Sequence, residues 1–297
     1  MGEWGDPTSG HRAGAAGNRM GSEEHTLIDL GLQGKGAVVS GAGYIPERAG
    51  HGRITTLKLA EAGATVACID IDQGRAEGIV AEVESGGGKA FPVVADMTDP
   101  AQVQRAVGEA AARLGSIDVC VDIIGGARWD KAENFSLEDW NWTIQNNLSQ
   151  VFYLFQTVGA RMIEQGTGGS MVALASVDGV NAAAMHAPYG AAKAGVISLA
   201  KTFAQELGRY GIRVNAVAPG NVGSGNEDWP EGQWAVNAVN PLAPPRARDI
   251  GNAVLFLSSA MAERITGQTL VVDGGAIIRD LWGMHEKILA QFKTGDY

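Results

Sequence analysis

The sequence predicts an α/β protein built on one doubly wound, parallel sheet of seven strands. Short apolar runs with strand character alternate along the chain with longer stretches in which apolar residues recur at helical spacing. The strands are apolar at successive positions, which is typical of a parallel sheet covered by helices on both faces. Neither an internal repeat nor a Pro/Ser-rich linker interrupts residues 32–275, so we predict a single domain.

The elements follow one another in a regular order. We predict strands at residues 36–40, 65–70, 90–95, 117–124, 170–176, 212–217 and 269–272, and helices at residues 53–62, 75–84, 100–114, 137–164, 188–209 and 246–260. The first strand, GAVVS, runs into a glycine-rich turn, and the second, TVACID, ends in an aspartate. Both features are expected beside a ligand, because open α/β sheets bind ligands beyond the carboxyl ends of their strands.

Three segments depart from this alternation. Residues 1–31 are rich in glycine, and we predict that they form a disordered N-terminal tail. We predict that residues 221–240 form an irregular lid over the substrate. Residues 276–297 predict a helix-like tail that carries several large apolar side chains. We expect this C-terminal tail to pack either over the pocket or on a neighbouring subunit.

Composition excludes several classes of function. The 297 residues contain 23 Lys and Arg against 33 Asp and Glu, a formal net charge of −10 that would repel a nucleic acid. Cys68 and Cys120 lie in apolar runs and are expected to be buried thiols, consistent with a cytoplasmic location. No apolar run reaches the roughly 18 residues of a membrane span. His186 and His285 have no carboxylate cluster at ligand spacing, so we predict no metal site.

Glycines cluster where the first strand passes into the first helix. Gly41 and Gly43 follow the strand, and Gly50, His51 and Gly52 precede the helix. Glycines at such a turn let the backbone approach a pyrophosphate, which then binds the amides at the helix N-terminus. A glycine-rich turn without a ligand is the alternative, because the spacing departs from the strict dinucleotide-binding pattern.

The second predicted strand ends at Asp70, where a carboxylate can accept hydrogen bonds from both hydroxyls of an adenosine ribose. The same charge would repel a 2′-phosphate, so the residue favours NAD over NADP. Arg53 and Arg75 are the nearby groups that would reverse this preference, and we expect both to be solvated helix residues.

A tyrosine and a lysine are spaced for proton transfer. Tyr189 and Lys193 are four residues apart at the start of a predicted helix, so both lie on one face. A phenol has an ordinary pKa of about 10, and a neighbouring ammonium lowers that pKa towards the range of a base at neutral pH. Ser176 ends the fifth predicted strand and would hold a substrate oxygen beside the phenol.

Together these residues resemble the short-chain dehydrogenase/reductase family over residues 32 to about 275. The motifs occur in the family's order: LQGKGAVVSG at the first strand and turn, Asp70, Asp96 in ADMTDP, Asn147 in NNLSQVF, Ser176, Tyr189 with Lys193, NAVAPG at residues 215–220 and ITGQTLVVDGG at residues 265–275. The resemblance implies a Rossmann-type fold, a nicotinamide cofactor and oxidoreductase chemistry at CH–OH groups.

The resemblance also implies a role for each matching residue. Tyr189 would exchange the proton of the alcohol, and Ser176 would orient the substrate oxygen. Lys193 would hydrogen-bond the nicotinamide ribose and lower the tyrosine pKa, while Asn147 would hold a water that links Lys193 to solvent. The implied cofactor contacts are Gly41, Gly43, Gly50, His51, Gly52, Asp70, Ile71, Asp96, Met97, Gly125, Tyr189, Lys193, Pro219, Gly220, Val222 and Ser224. The family also implies a homotetramer.

The chain departs from the family's pattern in the glycine-rich turn and after the fourth strand. Residues 44–49 lengthen the turn, and we hypothesise that they fold over the cofactor with Arg48 near the pyrophosphate; a solvent-exposed bulge is the alternative. His51 replaces an aliphatic residue. Asp122 replaces the first asparagine of the family's N-N-A-G motif and must find a partner, because burying a lone carboxylate is costly.

The candidate pocket residues are mostly apolar and aromatic: residues 126–129, residues 177–186 and the lid with Trp229 and Trp234. They predict a small hydrophobic alcohol or ketone as substrate. His186 precedes Tyr189 by one helical turn and either lines the pocket or lies at the surface.

The leading hypothesis is an NAD-dependent enzyme that interconverts a secondary alcohol and a ketone. An NADPH-dependent reductase of 3-oxoacyl thioesters on a carrier protein is the alternative, which Asp70 and the acidic character of residues 226–228 disfavour. A cofactor-binding regulator without chemistry is a third hypothesis, which the complete catalytic set disfavours.

Overall fold

The computed structural model of the chain describes residues 29–45, 50–222, 242 and 244–278. Its strands are β1 Gly36–Ser40, β2 Thr65–Asp70, β3 Lys89–Val94, β4 Val119–Asp122, β5 Gly169–Leu174, β6 Ile212–Pro219 and β7 Thr269–Val272. Its α-helices are α1 His51–Glu61, α2 Gln73–Ser85, α3 Pro100–Leu114, α4 Leu137–Ile144, α5 Gln150–Gln165, α6 Ala187–Leu207 and α7 Ala247–Ser258. None of these helices is long and apolar enough to cross a membrane.

The described strands form one parallel sheet in the order β3-β2-β1-β4-β5-β6-β7, which confirms the predicted fold class. The chain adds strands outwards from β1 to β3 and then returns to the other side of β1 as β4. Ser40 at the end of β1 is therefore paired with both Ile69 of β2 and Asp122 of β4. In sheets of this kind a ligand binds in the crevice at that reversal.

Side chains of each strand point alternately to two apolar layers. Val38 packs with α3, α5 and α6, whereas its neighbour Val39 packs with α1, α2 and α7. Cys68 and Cys120 are fully buried in opposite layers, as their apolar surroundings predict. Because both faces are covered, nearly every strand position is apolar, and this is the pattern that the sequence displays.

Short polar side chains begin the helices. Asp72 accepts a hydrogen bond from the Arg75 amide at the start of α2, and Asp99 accepts one from the Ala101 amide at the start of α3. Ser136 does the same at the start of α4. Such caps satisfy amides that have no partner within the helix, and they explain why these helices begin where they do.

The helical stretch predicted at residues 137–164 is present, but it is not a regular α-helix throughout. The structure has α4 and α5, joined by a π-helical segment, Gln145–Ser149. Within that segment the Asn147 side-chain amide donates to the Thr143 carbonyl oxygen at 2.9 Å. The apolar spacing continues through the segment and gives no sign of the widened turn, although π-helical turns are frequent at functional sites.

Strands β4 and β5 are shorter than predicted. Strand β4 ends at Asp122 and β5 at Leu174, so Ser176 follows its strand and begins a short helical turn, Val177–Gly179. The apolar pattern continues past both strands, but the chain there leaves the sheet and forms the site. At the N-terminus, Leu30 lies within the predicted tail, yet its carbonyl oxygen accepts a hydrogen bond from the Ala260 amide. The rest of that tail and residues 279–297 lie outside the described residues.

Candidate active site

A groove of about 390 Å³ opens at the carboxyl ends of β1, β2, β3 and β4. Its wall contains ten of the predicted cofactor contacts: Gly41, Gly43, Gly50, His51, Gly52, Asp70, Ile71, Asp96, Met97 and Gly125. It also contains Ile45, which belongs to the lengthened turn expected over the cofactor. The sequence offered no specific signal for the other wall residues Ala95, Thr98, Ile123, Ile124 and Asn146. The groove therefore lies at the reversal of strand order, where the fold predicts a ligand.

The glycine-rich turn leaves room for a phosphate at the start of α1. Gly50 has a φ of 74°, which glycine adopts without strain. A Cβ on Gly52 would overlap the Gly41 carbonyl oxygen, so a larger residue does not fit. Among the described residues no side chain caps the first turn of α1, and that turn carries no acidic residue. Its free amides and the helix dipole therefore fit a pyrophosphate.

The carboxylate of Asp70 is held from several sides. Its Oδ1 accepts hydrogen bonds from the Asp72 amide and from Arg75, whose Nη2 lies at 2.7 Å. Its Oδ2 accepts one from the Gly43 amide at 3.2 Å. The expectation that Arg75 is a solvated helix residue is therefore wrong, because its side chain folds back over the end of β2 and lines the groove.

The expectation for Arg53 is also wrong. Its guanidinium forms an ion pair with Glu82 and lies 5.4 Å from the centroid of the Tyr44 ring. Both arginines are therefore tied to side chains of other segments, which the spacing along the chain did not reveal. Of the two, only Arg75 lines the groove.

Asp96 is held in a fixed orientation at the same edge of the sheet. Its Oδ1 accepts hydrogen bonds from the amide and the hydroxyl of Thr98, at 2.9 and 2.7 Å. Its own amide donates to the side-chain oxygen of Gln102. The carboxylate is thus positioned in the groove wall before any ligand contacts it.

Three predicted catalytic side chains come together beside this groove. Lys193 follows Tyr189 by one turn of α6, and its Nζ lies 5.7 Å from the centroid of the tyrosine ring. The Ser176 hydroxyl accepts a hydrogen bond from the Asp178 amide at 3.2 Å and is also hydrogen-bonded to Tyr189. The serine and the phenol can therefore contact the same substrate oxygen.

The catalytic residues reach the groove at Gly125. A Cβ on Gly125 would lie 2.8 Å from Asn147 Oδ1 and 3.1 Å from Lys193 Nζ. Asn147 is fully buried and exchanges two hydrogen bonds with the backbone of Gly126. Lys193 Nζ donates to the Leu174 carbonyl oxygen at 2.7 Å. Only a glycine leaves both polar groups accessible to a ligand in the groove.

The expected lowering of the Tyr189 pKa is not found. Burial of the phenol raises its pKa, the hydrogen bond with Ser176 acts to lower it, and the charge of Asp178 raises it further. Burial also lowers the pKa of Lys193 to about 8, although the charge of Asp122 acts against this. The Lys193 ammonium therefore loses its charge at a lower pH than an ordinary lysine. Because the pKa of Tyr189 is raised, its phenol is protonated at neutral pH and can donate.

His51 lines the groove at the start of α1. Burial and, to a smaller extent, the positive charge of Lys193 lower its pKa to about 4. The imidazole is therefore neutral at neutral pH. Its Nε2 has no hydrogen-bond partner among the described residues. His51 thus places an uncharged polar ring beside the glycines, at the position where the family has an aliphatic residue.

Asp122 has found the partner that its burial requires. Gln150, at the start of α5, donates from Nε2 to Asp122 Oδ2 at 2.9 Å. Burial raises the pKa of Asp122 to about 6, while the hydrogen bond from Gln150 and the charge of Lys193 act to lower it. The sequence offered no signal for Gln150, because an amide in an amphipathic helix is usually exposed.

A buried acid–imidazole pair borders the phenol. His186 Nδ1 is hydrogen-bonded to the carboxylate of Asp178, and the imidazole packs against the Trp129 indole. The centroids of the His186 and Tyr189 rings are 5.4 Å apart. Of the two positions that the sequence left open for His186, the structure excludes the surface, because the residue is buried beside the Tyr189 ring.

The remaining predicted contacts lie elsewhere or cannot be placed. Pro219, Gly220 and Val222 lie at the carboxyl end of β6, beyond the wall of the groove. The Gly220 amide donates to the Val272 carbonyl oxygen at 2.9 Å. Ser224, Arg48 and the tryptophans of the predicted lid lie outside the described residues. Their contacts with a cofactor or substrate stay predictions.

Comparison with known proteins identifies relatives along most of the chain. The enoyl-(acyl carrier protein) reductase family model matches residues 46–276. D-threitol dehydrogenase of Mycolicibacterium smegmatis is 37% identical over 260 residues, which cover 85% of this chain and 96% of the relative. The 3-oxoacyl-(acyl-carrier-protein) reductase FabG of Thermotoga maritima is 36% identical over 250 residues, which cover 83% of this chain and 99% of the relative.

Solved structures share the fold as well. The gluconate 5-dehydrogenase of Burkholderia cenocepacia, in complex with NADP and tartrate, superposes with a TM-score of 0.75 at 31% identity and covers 84% of this chain and 97% of its own. The carveol dehydrogenase of Mycobacterium avium, in complex with NAD, has a TM-score of 0.75 at 29% identity and covers 83% of this chain and 99% of its own. The two structures hold different nicotinamide cofactors.

Proposed function

The chain belongs to the short-chain dehydrogenase/reductase family, and from this membership we propose that it interconverts a secondary alcohol and a ketone with NAD as its cofactor. It is an oxidoreductase that acts on CH–OH groups, as the names of the threitol and gluconate dehydrogenases say of those relatives. The choice of NAD and the substrate are our proposals.

One observation carries the proposal: the groove and the Ser176–Tyr189–Lys193 cluster meet at Gly125. The groove has the glycine cradle and the helix N-terminus that a dinucleotide needs. Lys193 Nζ lies 3.1 Å from the position that a Cβ on Gly125, a residue of the groove wall, would occupy. A ligand in the groove would therefore be in reach of the side chains that handle the proton of the alcohol.

Tyr189 acts as the proton donor when a ketone is reduced. Its raised pKa keeps the phenol protonated near neutral pH, and Ser176 holds the ketone oxygen beside it. The bound nicotinamide supplies the hydride in this direction and accepts it in the other. Alcohol oxidation needs Tyr189 as a phenolate, so the oxidation rate is expected to rise with pH while the reduction rate falls.

Lys193 and Asn147 support this proton transfer. The Lys193 ammonium stabilises the phenolate when it forms, although the lysine pKa of about 8 limits this effect above that pH. Asn147 fixes the backbone of Gly126 with both ends of its amide, and the second lone pair of its Oδ1 remains available for a water between Lys193 and solvent.

Asp70 supports NAD as the preferred cofactor. Its carboxylate lies in the groove wall at the end of β2, where it can accept bonds from ribose hydroxyls. Arg75 weakens this preference, since its guanidinium compensates part of the charge that would repel a 2′-phosphate. We therefore propose a preference for NAD with residual activity on NADP.

The alternative function is NADPH-dependent reduction of a 3-oxoacyl thioester. The 36% identity with the Thermotoga maritima reductase and the presence of Arg75 in the groove favour it. The carboxylate of Asp70 disfavours it, because Arg75, the arginine that lines the described part of the groove, is already paired with that carboxylate. The leading proposal and this alternative share the same catalytic residues.

A substrate panel followed at the absorbance of reduced nicotinamide tests the proposal. Secondary alcohols are offered with NAD and with NADP, and a 3-oxoacyl thioester is offered with NADH and NADPH. We expect turnover of alcohols with NAD, and a loss of at least about a thousandfold in Tyr189→Phe. Tyr210→Phe, at an exposed position past the end of α6, is the matched control and is expected to keep full activity.

Two outcomes contradict the proposal. Thioester reduction with NADPH that far exceeds every alcohol activity would favour the alternative. Nucleotide binding without turnover of any substrate, with no difference between the wild type and Tyr189→Phe, would leave only the cofactor-binding regulator.

We also propose a cytoplasmic homotetramer. The outer faces of α5 and α6 carry an apolar groove formed by Leu148, Ser149, Phe152, Tyr153, Gly195, Ser198 and Leu199, and the Phe152 ring is partly exposed. A monomeric mass in solution scattering would refute the tetramer. The closing of residues 221–240 over the substrate and the packing of residues 276–297 remain part of this proposal.

A further inference from the structure

We propose that Asp178 and His186 form a second substrate anchor beside Tyr189, and that this anchor binds a hydroxyl group on the carbon next to the one that is oxidised. The substrate is then a vicinal diol or polyol, and the product is an α-hydroxy ketone. This inference rests on the proposed function and replaces the simple hydrophobic alcohol that the sequence predicts.

The anchor lies at the right place for a neighbouring hydroxyl. Asp178 is two residues after Ser176, and its amide donates to the serine hydroxyl. His186 is three residues before Tyr189, and the centroids of the two rings are 5.4 Å apart. The acid and the imidazole thus come from the same two segments as the serine and the phenol. A substrate oxygen held by Ser176 and Tyr189 has its neighbouring carbon close to His186.

The pair defines which hydrogen bond the imidazole can make. Carboxylate oxygens only accept, so His186 Nδ1 must carry the proton in its bond to Asp178. In the neutral ring Nε2 is then a lone-pair acceptor. It therefore requires a ligand group that donates, such as a hydroxyl.

That acceptor has no partner in the described chain. His186 is 9% exposed, and its Nε2 is buried without a hydrogen bond to any described residue. Buried polar atoms are nearly always paired, so an orphan beside a catalytic phenol points to a ligand. The Trp129 indole covers the imidazole but is itself 65% exposed, so a substrate can displace it at little cost in burial.

The backbone around the anchor is held in an unusual conformation. Met185, directly before His186, has a φ of 66°, in the left-handed region that a residue with a side chain rarely adopts. Its carbonyl oxygen accepts a hydrogen bond from the Asp130 amide, which joins the Trp129 segment to the start of α6. Strain of this kind is concentrated at functional sites.

The same chemistry argues against two other substrate classes. A carboxylate on the neighbouring carbon would face the charge of Asp178, which lies next to the imidazole. A thioester carbonyl offers no proton to the Nε2 lone pair. Oxidation itself would be unchanged: the O–H proton would pass to the Tyr189 phenolate, the carbinol C–H bond would break as a hydride that oxidised NAD would accept, and the carbon–oxygen double bond would form.

Matched substrate pairs test the anchor. Butane-2,3-diol and butan-2-ol differ by the second hydroxyl, and cyclohexane-1,2-diol and cyclohexanol form a second pair. In His186→Phe, which keeps an aromatic ring against Trp129, kcat/KM for the diols is expected to fall by roughly tenfold to a hundredfold. The mono-alcohols lack the second hydroxyl and share only the loss of packing beside Tyr189, so the ratio of kcat/KM for diol to that for mono-alcohol is expected to fall by about tenfold, with most of that fall in KM for the diols.

Asp178→Asn is expected to change which substrates the anchor prefers. The amide can donate to His186 Nδ1, so the proton moves to Nε2 and the anchor changes from acceptor to donor. The preference for diol over mono-alcohol is expected to fall, while reduction of butane-2,3-dione relative to butan-2-one is expected to rise. A purely structural role would not reverse the preference in this way. Thermal denaturation of both variants checks that each is folded.

A binding measurement separates this inference from the proposed function. Saturation-transfer NMR of Tyr189→Phe with NAD and butane-2,3-diol is expected to show binding, and addition of His186→Phe to that variant is expected to weaken it about tenfold. Equal losses for diols and mono-alcohols, or no loss for either, would overturn the anchor. No turnover by the wild type, together with diol binding that depends on His186, would overturn the proposed function and leave the anchor standing.

Discussion

Replacing Asp122 with asparagine is expected to stabilise the protein, with a gain that depends on pH. Burial raises the pKa of this carboxyl from 3.8 to about 6, and at about 1.36 kcal/mol per pKa unit the difference corresponds to about 3 kcal/mol. The raised pKa means that the fold favours the protonated form. The contribution to stability is complete below pH 3.8 and is lost as the pH rises through about 6.

Asp122→Asn removes the charge but keeps the shape, and its side-chain oxygen can still accept the hydrogen bond from Gln150. The free energy of unfolding, measured by urea denaturation, is expected to exceed that of the wild type by about 2–3 kcal/mol at pH 8 and by less than about 1 kcal/mol at pH 4. The pKa of about 6 already includes the attraction between Asp122 and Lys193, so the expected gain needs no separate correction for its loss.

Asp118→Asn is the matched control, because Asp118 precedes the same strand and has the opposite electrostatics. Burial acts to raise its pKa, but hydrogen bonds from the Gly36 amide, Lys35 and Ser116 outweigh this and lower it. The free energy of unfolding of this variant is expected to be about 1–2 kcal/mol below that of the wild type at pH 8. This difference becomes smaller as the pH falls through the lowered pKa of Asp118. The reasoning is refuted if Asp122→Asn is no more stable than the wild type at pH 8, or gains equally at pH 4 and 8.

Two further predictions concern the groove. Arg75→Ala removes the positive charge that compensates Asp70. The ratio of kcat/KM for NAD to that for NADP is therefore expected to rise about tenfold, the equivalent of one charge-assisted hydrogen bond. An unchanged or lower ratio in steady-state kinetics would contradict the role given to Arg75. Gly52→Ala brings a Cβ into the Gly41 carbonyl oxygen and is expected to weaken NADH binding, followed by fluorescence, by at least about tenfold. Gly78→Ala, in an open position on α2, is its control and is expected to bind NADH normally and to gain up to about 1 kcal/mol of stability.

The sheet could be predicted because burial on both faces leaves a local trace. Val38 and Val39 point into opposite apolar layers, and each is apolar because its own layer is buried. The bounds of β1, β2, β7 and α3 agree with the prediction to the residue. The glycine-rich turn and Asp70 were also readable, because the end of a strand and the start of a helix are adjacent in the chain. Their position in the groove follows directly from the strand order.

The contacts between side chains of different elements in the site could not be predicted in this way. Gln150 lies 28 positions from Asp122 and meets it only because α5 crosses the sheet beside β4. Arg75 was expected in solvent, since nothing in its spacing shows that the side chain turns back onto Asp70. The π-helical segment at Asn147 left no mark in the apolar spacing, because it adds to a turn without changing which face is buried.

The pattern of residues along the chain was enough to predict the alternation of strands and helices, the order of the catalytic residues and the face of α6 that Tyr189 and Lys193 share. These properties depend on periodicity and on neighbours in the chain, which a linear pattern records. The protonation of the site, in contrast, follows from packing. Packing raised the pKa of Tyr189, lowered that of Lys193 and buried His186 against Asp178. Those outcomes depend on how far water is excluded and on the distance between groups on different elements, and both arise only when the elements pack together.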